Sequence, residues 1–126
     1  MFKKVMLFLP VLLLAGCTTG TFTRLTPNLQ PRNSNDLYAV EVAFNSDRQA
    51  IRWDSIRPYV VVNGDALPMR PVPLVKNRWE GVIPVQPGQT TVIYRFKFDY
   101  LCNSFGTTPQ PNSESSRNYV LKVADQ

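Results

Sequence analysis

The sequence of 126 residues contains no histidine, only two cysteines and only six glycines. Without histidine, Ser-His-Asp and Cys-His catalysis are excluded, as is a histidine-bound zinc or copper. The nine carboxylates, Asp36, Glu41, Asp47, Asp54, Asp65, Glu80, Asp99, Glu114 and Asp125, are dispersed. No Asp-x-Asp loop suits calcium and no close pair suits glycosidic acid/base work; Asp47 and Asp54, across a turn, come nearest. No glycine-rich phosphate loop is present. The expectation is a protein that is not an enzyme and that holds no metal or other dissociable cofactor. Charge is equally sparse. Apart from Lys3 and Lys4, 12 basic residues stand against 9 acidic ones with no cluster above two, so nucleic acid is not an expected partner. Eleven prolines argue against long helices.

No apolar run is long enough to cross a bilayer, which takes about 20 residues. The longest is "VMLFLPVLLLA", residues 5–15, preceded by "MFKK". A positive start followed by a run of this length reads as a secretory leader. The run ends in Leu14-Ala15-Gly16-Cys17. This quartet resembles the lipobox of bacterial lipoproteins: an aliphatic residue, two small residues and a cysteine. The resemblance covers residues 1–17. It implies cleavage between Gly16 and Cys17, a diacylglyceryl thioether on Cys17, and an acyl chain, commonly palmitate, on its new amino group. Two or more chains anchor stably where one does not. Thr18 stands where an aspartate would favour inner-membrane retention in enteric-type bacteria, so the expected address is the outer membrane. A thioether sulfur cannot also join a disulfide. Cys102 is therefore expected to be a buried small hydrophobe, an intermolecular link or a loop thiol rather than half of an intramolecular bridge.

Three segments follow: a signal peptide at 1–16, the lipidated cysteine and a polar tether at 17–36, and a domain at 37–126. "TTGTFTRLTPNLQPRNSND" is poor in apolar residues and reads as flexible chain, spanning roughly 25 Å on average; the alternative is that Phe22 and Leu25 dock on the domain. From Leu37 the hydrophobic period is two. "LYAVEVAF" aligns Tyr38, Val40, Val42 and Phe44. "TTVIYRFKFDY" sends Val92, Tyr94, Phe96, Phe98 and Tyr100 to one face, and Ile93, Arg95, Lys97 and Asp99 to the other. Asn63-Gly64 between apolar runs predicts a tight hairpin turn, and "QPGQ" predicts another turn. "LPMRPVPLVKN" belongs at an edge or crossover because proline cannot donate to a central ladder. Ser116–Val123 closes the chain against Thr90–Tyr100. About seven short strands joined by Gly, Pro and Asn turns predict an all-β antiparallel sandwich, immunoglobulin-like in the best fit.

The aromatic residues are the main candidates for binding. "RWEGVIPVQPG" followed by "YRFKFD" is similar to early-set, immunoglobulin-like modules that accompany starch- and glycogen-active enzymes. The similarity spans about 22 residues and implies a sugar-stacking role for Trp79; the family's glycine after that aspartate is here Tyr100. Trp53 is the second candidate, although tryptophan in a small sandwich is more often a core plug. The charged face of Arg95, Lys97 and Asp99, which Arg78 and Glu80 from the preceding strand could extend, reads most simply as a solvated sheet face; the rival reading is a docking surface for an envelope protein. A free sheet edge is a further place for a partner strand. The functional expectation is a membrane-anchored accessory or scaffolding component of the cell envelope with an envelope protein as partner; the alternative is a glycan-binding module.

Overall fold

A computed structural model of the chain describes residues 20–46, 51–103 and 108–125. The leader and Cys17 lie outside them. Ten strands are present: β1 Thr21–Arg24, β2 Leu29–Pro31, β3 Leu37–Asn45, β4 Ile51–Val62, β5 Asp65–Pro68, β6 Arg70–Pro71, β7 Arg78–Pro84, β8 Thr91–Cys102, β9 Gln110–Ser115 and β10 Tyr119–Ala124. No helix occurs among the described residues. The strands form two packed sheets. One runs β1-β3-β7-β6; the other runs β2-β10-β8-β4-β5, with β9 continuing beside β8. The fold is an all-β sandwich.

Period-two alternation builds the core between the sheets. Tyr38, Val40, Val42 and Phe44 enter from β3 and Trp79 and Ile83 from β7; Val92, Tyr94, Phe96, Phe98 and Tyr100 enter from β8, and Tyr119, Leu121 and Val123 from β10. No polar or charged residue is buried among them. At Asn63-Gly64 both residues have positive φ, 54° and 81°. That pair of conformations matches the twist of a two-residue hairpin, here joining β4 to β5. The "QPGQ" turn closes with Gln89 N–H donating to Gln86 O at 2.9 Å. The proline-rich stretch supplies β5 at the edge of one sheet and β6 at the edge of the other, with Met69 N–H bonded to Pro58 O between them. The edge strands β1, β2, β5 and β6 have two to four residues each, a length that offers little ladder to another chain; β9, paired among the described residues with β8 alone, leaves a longer edge of six.

Two expectations are corrected. From Gly20 onward the segment foreseen as a flexible tether is part of the fold. β1 pairs antiparallel with β3, the chain crosses between the sheets at Pro27, and β2 pairs parallel with β10. The polar composition conceals how few anchors suffice. Phe22 alone packs into the core, its ring 4.9 Å from Phe44 and 5.1 Å from Phe98. Thr26 Oγ1 accepts from Glu41 N–H at 2.6 Å where β1 ends, and Arg32 pairs with Asp125 and donates to Gln89 O at 2.8 Å. Of the two docking residues foreseen as the alternative, Phe22 is packed while Leu25 is 38% exposed. The second correction concerns the charged face. Arg78 and Glu80 lie on β7, in the sheet opposite Arg95 and Lys97. There they pair with Glu41 and Arg70.

Candidate functional sites: the β4 groove and the N-terminal junction

β4 and β8 are the longest strands, and their ladder is interrupted. Arg52 faces Leu101 and Arg57 faces Asp99, so five steps along β4 match two along β8. The extra residues form a bulge, a common device for re-aiming side chains. Ser55 holds it together: its hydroxyl donates to Arg52 O at 2.6 Å and accepts from Leu101 N–H at 2.8 Å, standing in for a ladder partner. The bulge brings Trp53 to the surface, 39% exposed, with its ring 6.1 Å from Phe44.

Two hollows flank the bulge. A cleft of about 800 Å³ is lined by Asp54, Ser55, Arg57, Asp99, Tyr100 and Asn112, among others. A second of about 550 Å³ lies among Trp53, Ile56, Tyr59, Pro68, Met69 and Trp79. Asp99 is the organised polar group of the first. Partial burial disfavours its charge, but hydrogen bonds from Lys97 Nζ (2.8 Å) and Ser113 Oγ (2.7 Å), with Lys97 and Arg57 nearby, outweigh this and hold its carboxyl below the usual value. Lys97 Nζ also lies 5.7 Å from the Tyr59 ring centre, within cation–π range.

The candidates therefore separate. Trp79 is 8% exposed and stands edge-on to Phe98 at 5.0 Å, the geometry of a core plug. Trp53 is on the surface beside polar groups. Arg95 and Lys97 do share the outer face of the β8 sheet, with Arg95 opposite Val61 and Lys97 opposite Tyr59. Gly16 and Cys17 lie outside the described residues, as does Asp47. Cys102 is buried at 2% exposure and is disulfide-bonded. The sequence reading kept it out of any intramolecular bridge. The only other cysteine in the chain is Cys17.

The junction at Gly20 has no counterpart in the sequence reading. Gly20 N–H is shared between both oxygens of Glu114, at 3.0 and 3.1 Å. The Tyr100 hydroxyl donates to the same carboxylate. Burial first, then this bond and the adjacent negative charge, push the Tyr100 phenol well above its ordinary pKa. A Cβ on Gly20 would fall 2.1 Å from Phe44 Cε1 and 2.2 Å from Cζ, so no other residue fits without displacement. A lone glycine in a polar stretch carries no sequence signal for so close an approach. Among the described residues no group of three metal-binding side chains occurs. Comparison with protein-family models, with curated proteins and with solved structures finds no match to this chain.

Proposed function

We propose that the chain is a bacterial lipoprotein, fastened through acyl chains on Cys17 to the outer membrane, whose sandwich is a non-enzymatic scaffold or docking module for another envelope protein. The observation that carries this reading is the quartet Leu14-Ala15-Gly16-Cys17, directly after a short basic start and an eleven-residue apolar run. An immunoglobulin-like topology is supported by the strand order. Four strands, β1-β3-β7-β6, face a sheet in which β8 lies between β4 and β10, and a short N-terminal strand runs parallel beside the last. The surface offered to a partner is the outer face of the β8 sheet. There Ile93 and Val120 sit opposite one another, 58% and 37% exposed, beside Arg95 and Lys97.

The test is mass spectrometry of the mature N-terminal peptide, joined to fractionation of Cys17→Ser. The reading requires an acylated Cys17 at the mature terminus and release of the variant from the membrane; a terminus elsewhere with an unmodified Cys17 overturns it. A thioether and a Cys17–Cys102 bridge exclude each other within one molecule. The same peptide map, run without reductant, therefore separates an anchored form from a disulfide-closed exported form. Crosslinking of the acylated protein in its native membrane then identifies the envelope partner, with Arg95→Glu/Lys97→Glu expected to lower its capture.

A second reading, glycan binding, is favoured by the exposure of Trp53 beside Asp54 and Arg57 in the bulge groove. It requires Trp53→Ala to abolish retention on immobilised envelope polysaccharide while lowering the melting temperature by no more than about 10 °C, the shift that corresponds to a cost under about 1.5 kcal/mol in a domain of this size.

A further inference from the structure

The loop joining β6 to β7, residues 72–77, is costly in two ways that the fold does not recover. Leu74 is fully exposed, and its φ of 63° places it in the left-handed region that a leucine rarely adopts. Neither feature serves the core. Val75 follows at 40% exposure, and half-exposed Trp53 lines the same hollow as Val75 and Lys76. Lys76 and Arg78 are both exposed beside this apolar tip.

The topology puts this loop at the end of the sandwich where the N-terminal chain leaves it. β1 begins opposite Asn45, the last residue of β3. β7 begins at the same end, with Ala43 opposite Arg78 and Phe44 N–H bonded to Asn77 O at 3.0 Å. Gly20 and Asn77 therefore stand one strand to either side of the end of β3, about 10 Å apart by strand spacing.

We propose that this loop enters the lipid bilayer surface next to the anchor: Leu74 and Val75 sit at the headgroup–acyl boundary with Trp53 behind them, and Lys76 and Arg78 face anionic headgroups. The inference rests on the lipid anchor proposed above for the nearness of the membrane. It deepens that reading by fixing which end of the domain faces the bilayer. An apolar tip with an aromatic and basic flank is the composition that interfacial segments favour. With Cys17 only three residues before Gly20, an acylated domain cannot stand off from the surface. The β8 sheet face is then left upright and open to a protein partner.

The test uses the full chain purified from membranes, carrying Leu74→Trp in a Trp53→Phe background, in vesicles of phosphatidylcholine and phosphatidylglycerol at 3:1 with brominated acyl chains. With the emission of buried Trp79 subtracted, using the Trp53→Phe protein alone, insertion requires a blue-shifted emission and quenching of at least half the Leu74→Trp signal by bromines placed near the headgroup. Adding Lys76→Glu/Arg78→Glu is expected to reduce quenching at least twofold. A membrane-bound, acylated protein whose Leu74→Trp emission stays unquenched and water-like overturns the inference while leaving the anchor intact. If the purified chain proves unacylated, the anchor reading fails separately, and the same vesicles are added to that chain. Quenching there supports the loop's membrane contact, and its absence refutes it.

Discussion

Replacing Gly20 by alanine tests the N-terminal junction directly. The added methyl would overlap the Phe44 ring at 2.1–2.2 Å and approach Glu114 Oε2 at 3.1 Å, against the roughly 3.5–4 Å of ordinary carbon contacts. Relief requires a movement of more than an ångström. Phe44 cannot easily supply it, being wholly buried with Phe22 and Phe98 about 5 Å away and Trp53 and Tyr100 beyond. If the core yields, overpacking of this kind costs about 1–3 kcal/mol. If instead the chain lifts, the Gly20 N–H bond to a carboxylate is lost, about 1.5–3 kcal/mol, and Phe22 loses part of its cover. Either route predicts close to 2 kcal/mol, or a melting temperature lower by about 8–15 °C for a domain of this size. Thermal and urea unfolding of the mature chain measure the total. Hydrogen exchange identifies the route: early exchange confined to the amides of β1 marks lifting, and general acceleration across β3 and β8 marks core strain. A shift below about 2 °C with unchanged exchange would refute the argument, because it would mean that Gly20 does not lie against Phe44.

Two further outcomes follow from the geometry. Trp79→Ala, which empties a core position against Phe98, is expected to cost about 3–5 kcal/mol, whereas Trp53→Ala costs under about 1.5 kcal/mol; urea midpoints at constant slope compare them, and equal costs would contradict the assigned burial. Stability should also fall as pH rises beyond about 10. Burial pushes the Tyr100 and Tyr94 phenols up in the folded state, Tyr94 despite the opposing charge of Arg24. Above the ordinary tyrosine pKa the unfolded chain therefore binds fewer protons than the folded one. The stabilisation is present in full at neutral pH and is lost as pH climbs toward the folded-state values. Tyr100→Phe is expected to be less stable than wild type at pH 7 and to lose less stability between pH 9 and 11; parallel curves would show that this phenol does not matter.

The strands with strict alternation were the most legible. "TVIYRFKFDY" announced its buried and exposed faces residue by residue, because a half-buried strand in the middle of a sheet leaves no other pattern. The Asn63-Gly64 hairpin was equally plain, since few pairs adopt two consecutive positive φ values without strain. β1 and β2 were hidden for the opposite reason. An edge strand of three or four residues needs one aromatic anchor and a few side-chain bonds, so Thr, Asn and Pro dominate its composition and mimic a linker. The bulge in β4 was hidden too: nothing in "IRWDSIRPY" marks it, and only the pairing with β8 reveals the extra residues that bring Trp53 outward. The allotment of Arg78 and Glu80 to a sheet was decided by the crossover at Met69, a long-range matter on which local periodicity is silent.

The parallel pairing of β2 with β10 has a consequence in time. Leu29 meets Lys122 from far away in the sequence, so this edge cannot close until the chain has been made through β10. Contacts of such sequence separation form slowly. While the chain is being made, β2 waits for its partner strand through the synthesis of all the strands between them. A chain cut short before Tyr119 would lack both this seam and the core side chains Tyr119, Leu121 and Val123, and in a single cooperative domain the loss reaches the first sheet as well.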